Sequence, residues 1–383
     1  MRIASRRIAL AVCILGSSGE AATAENIQEV NIALVTPMSG PSMGNQESAV
    51  NSYKMAIEEV NREGFDVGGQ RYHLNVRWFD EECKASTAVT AVRAALAQVK
   101  PMHILWSALC SSSALASRQI ILDSKVIALN SVSATAGFVG PTGNPILFKN
   151  KEEFDWRARD MAKYLAVRSM KRGVIVSVNS EWGYESTKMF TKYATREGIE
   201  IVKTLSFDEQ SEEFFPLLAQ ANRSAPDFVF MASQQLNEQV GFIRAYRELG
   251  LQAQLVGEST WTEEVADKIG WPALNGMLTA SSWLPTSTRP EVREYVEKYR
   301  SLYGSVPGFN GPPAYDVVKI TMQAIQKAGG LASEKIRAAL RTTEFTNLVS
   351  GSGNLRFNDS GQAVFSVGIT VFDAEKHQRV AAP

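Results

Sequence analysis

The sequence predicts an α/β protein built as two doubly wound parallel-sheet lobes joined by a hinge of several chain crossings. Three observations carry the prediction. From residue 30 onward, short β-rich runs alternate with amphipathic helical stretches, the pattern that makes a parallel sheet with helices on both faces. The alternation ends at Lys149-Asn150 and starts afresh behind it. The chain of 383 residues is also longer than one core usually serves, which favours two domains.

Residues 30–35 form a β-rich run closed by Thr36-Pro37, and 38–45 is a turn-rich loop. Within 47–60, Tyr53, Ala56, Ile57 and Val60 recur at helical spacing and share one apolar face. Gly64, Gly68 and Gly69 end that helix. Residues 72–79 read as a second strand before the acidic turn Asp80-Glu81-Glu82-Cys83, whose Glu81 and Glu82 are expected on a solvated turn. An Ala/Val helix at 86–98, a strand at 103–106, a helix behind Ser111-Ser112-Ser113 and a strand at 126–129 complete the first unit. In such sheets ligands sit beyond the carboxyl ends of the strands. The loops at 38–45, 80–83, 107–113 and 130–137 are therefore expected along one edge.

The second unit runs through a helix at 154–167 and strands at 173–178, 199–206, 227–231 and 254–256, with helices between them. An apolar run at 274–280 follows. The helices at 290–303, 313–328 and 332–341 have no strands beside them in sequence and are expected to return to the first sheet. Segments 354–357 and 364–372, around the turn Asn358-Asp359-Ser360-Gly361, read as a hairpin edging the second sheet. The expected lobes are 26–149 plus 276–348 and 150–275 plus 349–383.

The first 24 residues read as a cleaved signal peptide. Arg2, Arg6 and Arg7 make a positive head, 8–16 is a short apolar run, and Ala22-Thr23-Ala24 is a small-residue cleavage site. Val12 stands before Cys13 where a small residue would precede a lipid-modified cysteine, which argues against an anchor there. The mature protein is expected outside the cytoplasmic membrane. Two cysteines survive cleavage, Cys83 and Cys110, and an exported chain with two cysteines favours a disulfide, worth roughly 3 kcal/mol for a loop of this length. Net charge near zero makes a nucleic-acid partner unexpected. His73, His103 and His377 show no ligand spacing, so neither a metal nor another cofactor is expected.

The stretch with most chemistry is 104–113. An apolar run ends in Cys110-Ser111-Ser112-Ser113, and a helix follows. A turn of this kind presents backbone N–H groups and the positive end of a helix dipole, which suits a small anion or carboxylate. Hydroxyls that merely cap the helix are the alternative reading.

Met38-Ser39-Gly40-Pro41, Asp80-Glu81-Glu82-Cys83, Cys110-Ser111-Ser112-Ser113, Ser133-Ala134-Thr135-Ala136, Trp182-Gly183 and Ala314-Tyr315-Asp316 occur in this order. Over about 28–375 the chain thereby resembles the periplasmic solute-binding proteins of ABC importers, of the leucine/isoleucine/valine-binding type with the type I fold. The resemblance implies a Cys83–Cys110 disulfide. It implies that Ser111 binds a ligand carboxylate, that Ser133, Ala134 and Thr135 hold carboxylate and amino group, and that Trp182 lines the pocket. Gln235 aligns where such amino-acid binders carry a tyrosine. For the acidic partner of a ligand ammonium, Glu258 is the nearest candidate and Ser259 the aligned position. Met43 stands where an aromatic residue usually covers the ligand, in a loop shorter than in the leucine-binding relatives. Trp261, Trp283 and Phe309 are expected to pack under loops rather than line the cleft.

The implied role is capture of an amino acid, branched-chain or similar, and its delivery to an inner-membrane ABC permease by a monomeric protein. If Ser259 rather than Glu258 faces the pocket, an amine-free small or aromatic carboxylate becomes the competing ligand, because an unpaired buried charge is costly. A ligand-sensing receptor is the second class. An enzyme is not expected: there is no G-x-S-x-G elbow and no histidine that sequence logic sets beside Ser111.

Overall fold

The computed structural model describes residues 27–40, 43–141, 144–364 and 367–383. The expected signal peptide, Cys13, and Pro41 and Ser42 of the first loop lie outside the described residues. No helix among the described residues is long and apolar enough to cross a membrane.

The first sheet is built from β1 (Gln28–Thr36), β2 (Phe65–Val67), β3 (Gln70–Asp80), β4 (Ile104–Trp106), β5 (Ala128–Asn130) and β6 (Leu147–Lys149). The helices α1 (Met43–Glu63), α2 (Ala85–Gln98) and α3 (Ser111–Ser124) connect them. Among the described residues its order is β2-β3-β1-β4-β5-β6, parallel except for β2 against β3. Residues 30 and 32–36 of β1 are buried on both faces, as a central parallel strand requires. The chain steps from β1 outward to β3 and returns to β4 on the other side. That reversal opens a crevice beyond the carboxyl ends of β1 and β4.

The second sheet repeats the device. It contains β7 (Arg172–Val178), β8 (Glu200–Phe207), β9 (Phe228–Ala232), β10 (Gln254–Gly257), β11 (Leu278–Ser281), β12 (Gly368–Asp373) and β13 (Gln378–Ala381). Around it lie α4 (Phe154–Val167), α5 (Glu181–Arg196), α6 (Phe215–Asn222), α7 (Leu236–Glu248), α8 (Glu263–Ile269) and α9 (Trp271–Leu274). Its order among the described residues is β13-β12-β11-β10-β9-β7-β8, with β12 and β13 antiparallel. Here the reversal falls between β7 and β9, so the loops after β7, β9 and β10 share one end.

The returning helices α10 (Pro290–Tyr303), α11 (Gly311–Ala328) and α12 (Ser333–Thr342) pack on one face of the first sheet, as their isolation in sequence predicts. Tyr53 of α1 stacks on Trp106 with centroids 5.4 Å apart, and the indole Nε1 donates to Thr321 Oγ1 of α11 at 3.0 Å. The other face is covered by the small residues Ala88, Ala91, Ala95 and Ala114 of α2 and α3.

The sheets divide the chain elsewhere than at 276 and 349. β11 pairs with β10, so the chain leaves the second sheet only after Ser281. Leu355, Phe357 and Ala363 pack in the first core, and Gln362 bridges Lys149 beside β6. Burial of these apolar side chains against Phe148 and α12 outweighs the sequence continuity with β12. The expected hairpin accordingly splits: 357 and 363 bridge each other on the first lobe, whereas β12 pairs with β13. The crossing segments are tied by buried polar groups. Ser282 Oγ donates to Glu152 Oε2 at 2.9 Å, Gln362 Nε2 donates to the Lys151 carbonyl at 2.8 Å, and the Lys151 ammonium lies 3.3 Å from the Phe309 ring centre.

Candidate functional site

The serine turn is assembled from below. Cys83 and Cys110 form a disulfide with Cα atoms 5.4 Å apart, which ties the turn after β3 to the turn after β4. Glu81 is fully buried beneath it, not on a solvated turn. Its Oε1 accepts from the N–H groups of Leu109 at 2.6 Å and Cys110 at 3.3 Å, and burial pushes the carboxyl up to about 7. These two amides are thereby satisfied from within. The first bond of α3 runs from Ala114 N–H to Cys110 O at 2.8 Å, so the amides of Ser111, Ser112 and Ser113 precede it at the positive helix end. Asn130, at the end of β5, binds Ser107 Oγ at 3.2 Å and accepts from Ser133 N–H at 2.9 Å. This brings Ser133 Oγ within 3.3 Å of Ser111 Oγ, to which it donates.

The facing wall comes from the second sheet. Ser180 caps α5 by accepting from Gly183 N–H at 3.3 Å. A Cβ at Gly183 would lie 2.0 Å from the Val178 carbonyl, so only glycine lets the helix start this close to β7. Trp182, one residue earlier, then sits between the Phe154 ring, edge-on at 5.4 Å, and the space in front of Ser111.

Ser111, Ser133, Trp182, Leu109 and Val132 border a narrow cleft between the lobes. Gln234 after β9, Thr260 and Thr262 after β10, and Glu264 of α8 complete its second-lobe wall. Gln46 of α1, Phe309 and Asn310 close the crossing side, where Asn310 Nδ2 donates to Gln46 Oε1 at 3.3 Å. A wider mouth of about 310 Å³ shares Ser111, Trp182 and Gln234 and opens toward Lys84, Glu209 and Gln235. Among the described residues the inner cleft has one carboxyl group in its lining, Glu264, and no lysine or arginine.

Of the residues expected in the site, Ser111, Ser133 and Trp182 meet here. The others do not line the inner cleft. Ala134 and Thr135 are buried, and their carbonyls accept from Lys149 Nζ at 3.3 and 2.9 Å. Thr135 Oγ1 accepts from Gly137 N–H at 3.2 Å, and the Thr135 side chain also meets the Glu185 carboxyl of α5, while Ala134 packs with the second-lobe core, so the segment is engaged within the protein rather than in the inner cleft. Gln235 precedes α7 and faces the mouth, while its neighbour Gln234 reaches the cleft. Met43 opens α1, half-buried, and Gln46 about one turn later lines the cleft instead.

Glu258 and Ser259 are both turned inward. Glu258 Oε1 lies 3.2 Å from Arg157 Nε, Glu258 Oε2 accepts from the Ser259 hydroxyl at 2.6 Å, and Arg157 Nη1 donates to that same hydroxyl. Arg157 is on α4 and wholly buried, so it needs a counter-charge in place, and Glu258 is it. Phe309 departs from its expectation in the opposite sense and lines the cleft, whereas Trp261 and Trp283 are buried in the two cores. Thr260, Thr262 and Gln234 stand in turns visible in the sequence as strand ends. Gln46, Glu264, Phe309 and Asn310 carried no such signal, because tertiary packing alone brings their elements to the cleft. Among the described residues no cluster of His, Cys, Asp and Glu side chains could hold a metal ion.

A family model described as periplasmic binding protein matches residues 29–377. The leucine-, isoleucine-, valine-, threonine- and alanine-binding protein of Pseudomonas aeruginosa is 22% identical over 380 residues, covering 98% of each chain. Among solved structures, a leucine binding protein from Thermotoga maritima superposes with a TM-score of 0.80 at 21% identity, over 92% of this chain and 98% of that one. A solute binding protein of an ABC transporter from R. palustris, in complex with benzoate, gives a TM-score of 0.80 at 18% identity, over 92% and 95%. These relatives are binding proteins rather than enzymes. A match over nearly the whole chain, on two facing switch points with a cleft between them, means that this chain belongs to the periplasmic binding protein family and has the fold of its leucine-binding type.

Proposed function

We propose that the protein captures a small carboxylate, in the first instance an amino acid, in the periplasm and delivers it to an inner-membrane ABC importer. One observation carries the reading: the start of α3, with the Ser111 and Ser133 hydroxyls 3.3 Å apart, opens into a cleft whose other wall belongs to the second lobe. A carboxylate there accepts from hydroxyls and first-turn amides at a helix N-terminus, with no lysine or arginine in the lining to compete. Trp182 and Phe309 offer flat apolar walls, and Gln234, Thr260 and Thr262 offer polar contacts from the second-lobe side. A ligand touching both lobes binds the closed arrangement better and shifts the population toward it. The relatives support the class, since their names and contents include leucine, alanine and benzoate.

A second reading is favoured by Arg157. Because it occupies Glu258 and Ser259, neither expected partner is available to a ligand ammonium, which suits an amine-free carboxylate. Calorimetry with a panel of amino acids and organic acids tests the proposal. At least one member binds, and Ser111→Ala weakens it by roughly 10- to 150-fold, the loss of about 1.5–3 kcal/mol for one hydrogen bond to a charged group. A panel in which nothing binds sinks the proposal.

A further inference from the structure

We propose that Glu264 is the specificity-determining residue of the cleft, taking the ligand ammonium in place of Glu258, so that the ligand is a zwitterion rather than a simple carboxylate. The inference rests on the carboxylate-capture reading above and deepens it. Its first support is position. Glu264 lies in the first turn of α8, on the second-lobe wall, and is the carboxyl in the inner lining among the described residues. Ser111 and Ser133 line the same cleft from the first lobe. A ligand anchored on the serines by its carboxylate therefore meets an acidic group on the other wall. Its Oε2 would lie 3.4 Å from a Cβ built on Gly308, the residue before Phe309, which places the carboxyl at the lobe boundary.

The second support is what the other groups do. Glu258, the acidic residue at the expected place, is neutralised by Arg157 at 3.2 Å. With no lysine or arginine in the inner lining, an ionised Glu264 repels a ligand that brings only negative charge. A zwitterion meets both ends of the cleft with opposite charge. The groups around Glu264 set its proton affinity. Burial raises it, Glu47 facing from α1 raises it further, Lys268 on the same helix lowers it, and Asp267 raises it, for a value of about 7. Glu264 also borders a second hollow, outside the inner cleft, lined by Glu47, Asp267, Lys268 and Tyr299 of α10, and Tyr299 stays neutral at that pH, its own value being raised by burial. An ammonium entering the cleft favours the ionised form, so amino-acid binding strengthens as pH rises from 6 to 8.

Calorimetry at both pH values tests this with alanine, threonine and leucine against propanoate, 3-hydroxybutanoate and 4-methylpentanoate, which lack only the amine. In the unmodified protein the preferred amino acid binds at least about tenfold more tightly than its deaminated counterpart, a gap of about 1.4 kcal/mol. Glu264→Gln removes most of that preference and its pH dependence by weakening the amino acid alone, while Glu264→Asp, which keeps the charge, retains the preference. Circular dichroism melting of each variant excludes unfolding as the cause. Preference for the amine-free acid in the unmodified protein, or a preference untouched by Glu264→Gln, overturns the inference. Failure is separable from that of the underlying reading: Ser111→Ala weakens both ligands of a pair if carboxylate capture is right, whatever Glu264 does.

Discussion

Glu258→Gln removes the negative charge that faces Arg157 inside the second lobe. Arg157 is 1% exposed and Glu258 is 5% exposed, so neither reaches water in exchange. Breaking a buried pair by neutralising one partner costs about 3–5 kcal/mol, since the other charge is left behind. Arg157 keeps the Ser259 hydroxyl, and Glu152 Oε1 lies 3.9 Å from its Nη1, so the lower end, about 3 kcal/mol, is expected. At about 2–4 °C per kcal/mol for a lobe of this size, Tm falls by roughly 6–12 °C. Urea unfolding followed by tryptophan fluorescence reads the loss directly, and the double variant Arg157→Met, Glu258→Met recovers most of it, because replacing both charges of a buried pair with apolar groups is often neutral. Ligand affinity changes little, since Glu258 does not line the inner cleft. A Tm within about 1 °C of the parent together with an affinity loss of about tenfold or more would refute the reasoning, for Glu258 would then be facing ligand.

Two further outcomes follow from the floor of the serine turn. Replacing Cys83 and Cys110 together by serine frees a loop of 27 residues and lowers stability by about 3–4 kcal/mol in the chain-entropy account, which denaturation with and without a thiol reductant measures. Glu81 holds its proton more tightly folded than unfolded, about 7 against 4.5, so its contribution is fully present below pH 4.5 and is lost as pH rises through 7, by about 3 kcal/mol in all. Glu81→Gln keeps an oxygen for the Leu109 and Cys110 amides and flattens that part of the pH–stability curve. Identical slopes for variant and parent between pH 4.5 and 7 would show that the carboxyl is not the source.

Reading the fold from the sequence succeeded where local chemistry and burial agree. β1, α1 and the Ala/Val helix α2 announce themselves through period and composition, and the serine turn through a hydroxyl cluster at a strand-to-helix junction. The short strand β6 was not legible, because its three residues run straight into Lys149-Asn150-Lys151, a polar segment that reads as a boundary. Lys149, Lys151 and the following Glu152 are nonetheless buried: Lys149 donates to the Thr135 carbonyl and pairs with the nearby Glu153, whereas Lys151 lies over Phe309 and Glu152 accepts from Ser282, both far along the chain. The same cause misdirected Glu258. From the sequence it is an acidic residue at the end of a strand, and nothing local reveals that Arg157, about a hundred residues earlier, lies against it.

The sequence by itself therefore determined the α/β class, the two repeated units, the disulfide-linked serine turn and Trp182 on the opposite side. The α/β class, the repeated units and the serine turn are written in contacts between neighbours along the chain or in the periodicity of apolar residues; the disulfide is written in the cysteine count of an exported chain and in the resemblance, and Trp182 on the opposite side in the resemblance. Only the tertiary structure decided which polar groups face the cleft. Gln46, Glu264 and Asn310 lie on elements more than two hundred residues apart at the extremes, and whether a carboxylate meets ligand or arginine depends on which remote side chain reaches it first. A buried charge is too costly to leave unpaired, so the fold spends Glu258 on Arg157 and leaves Glu264 to the cleft.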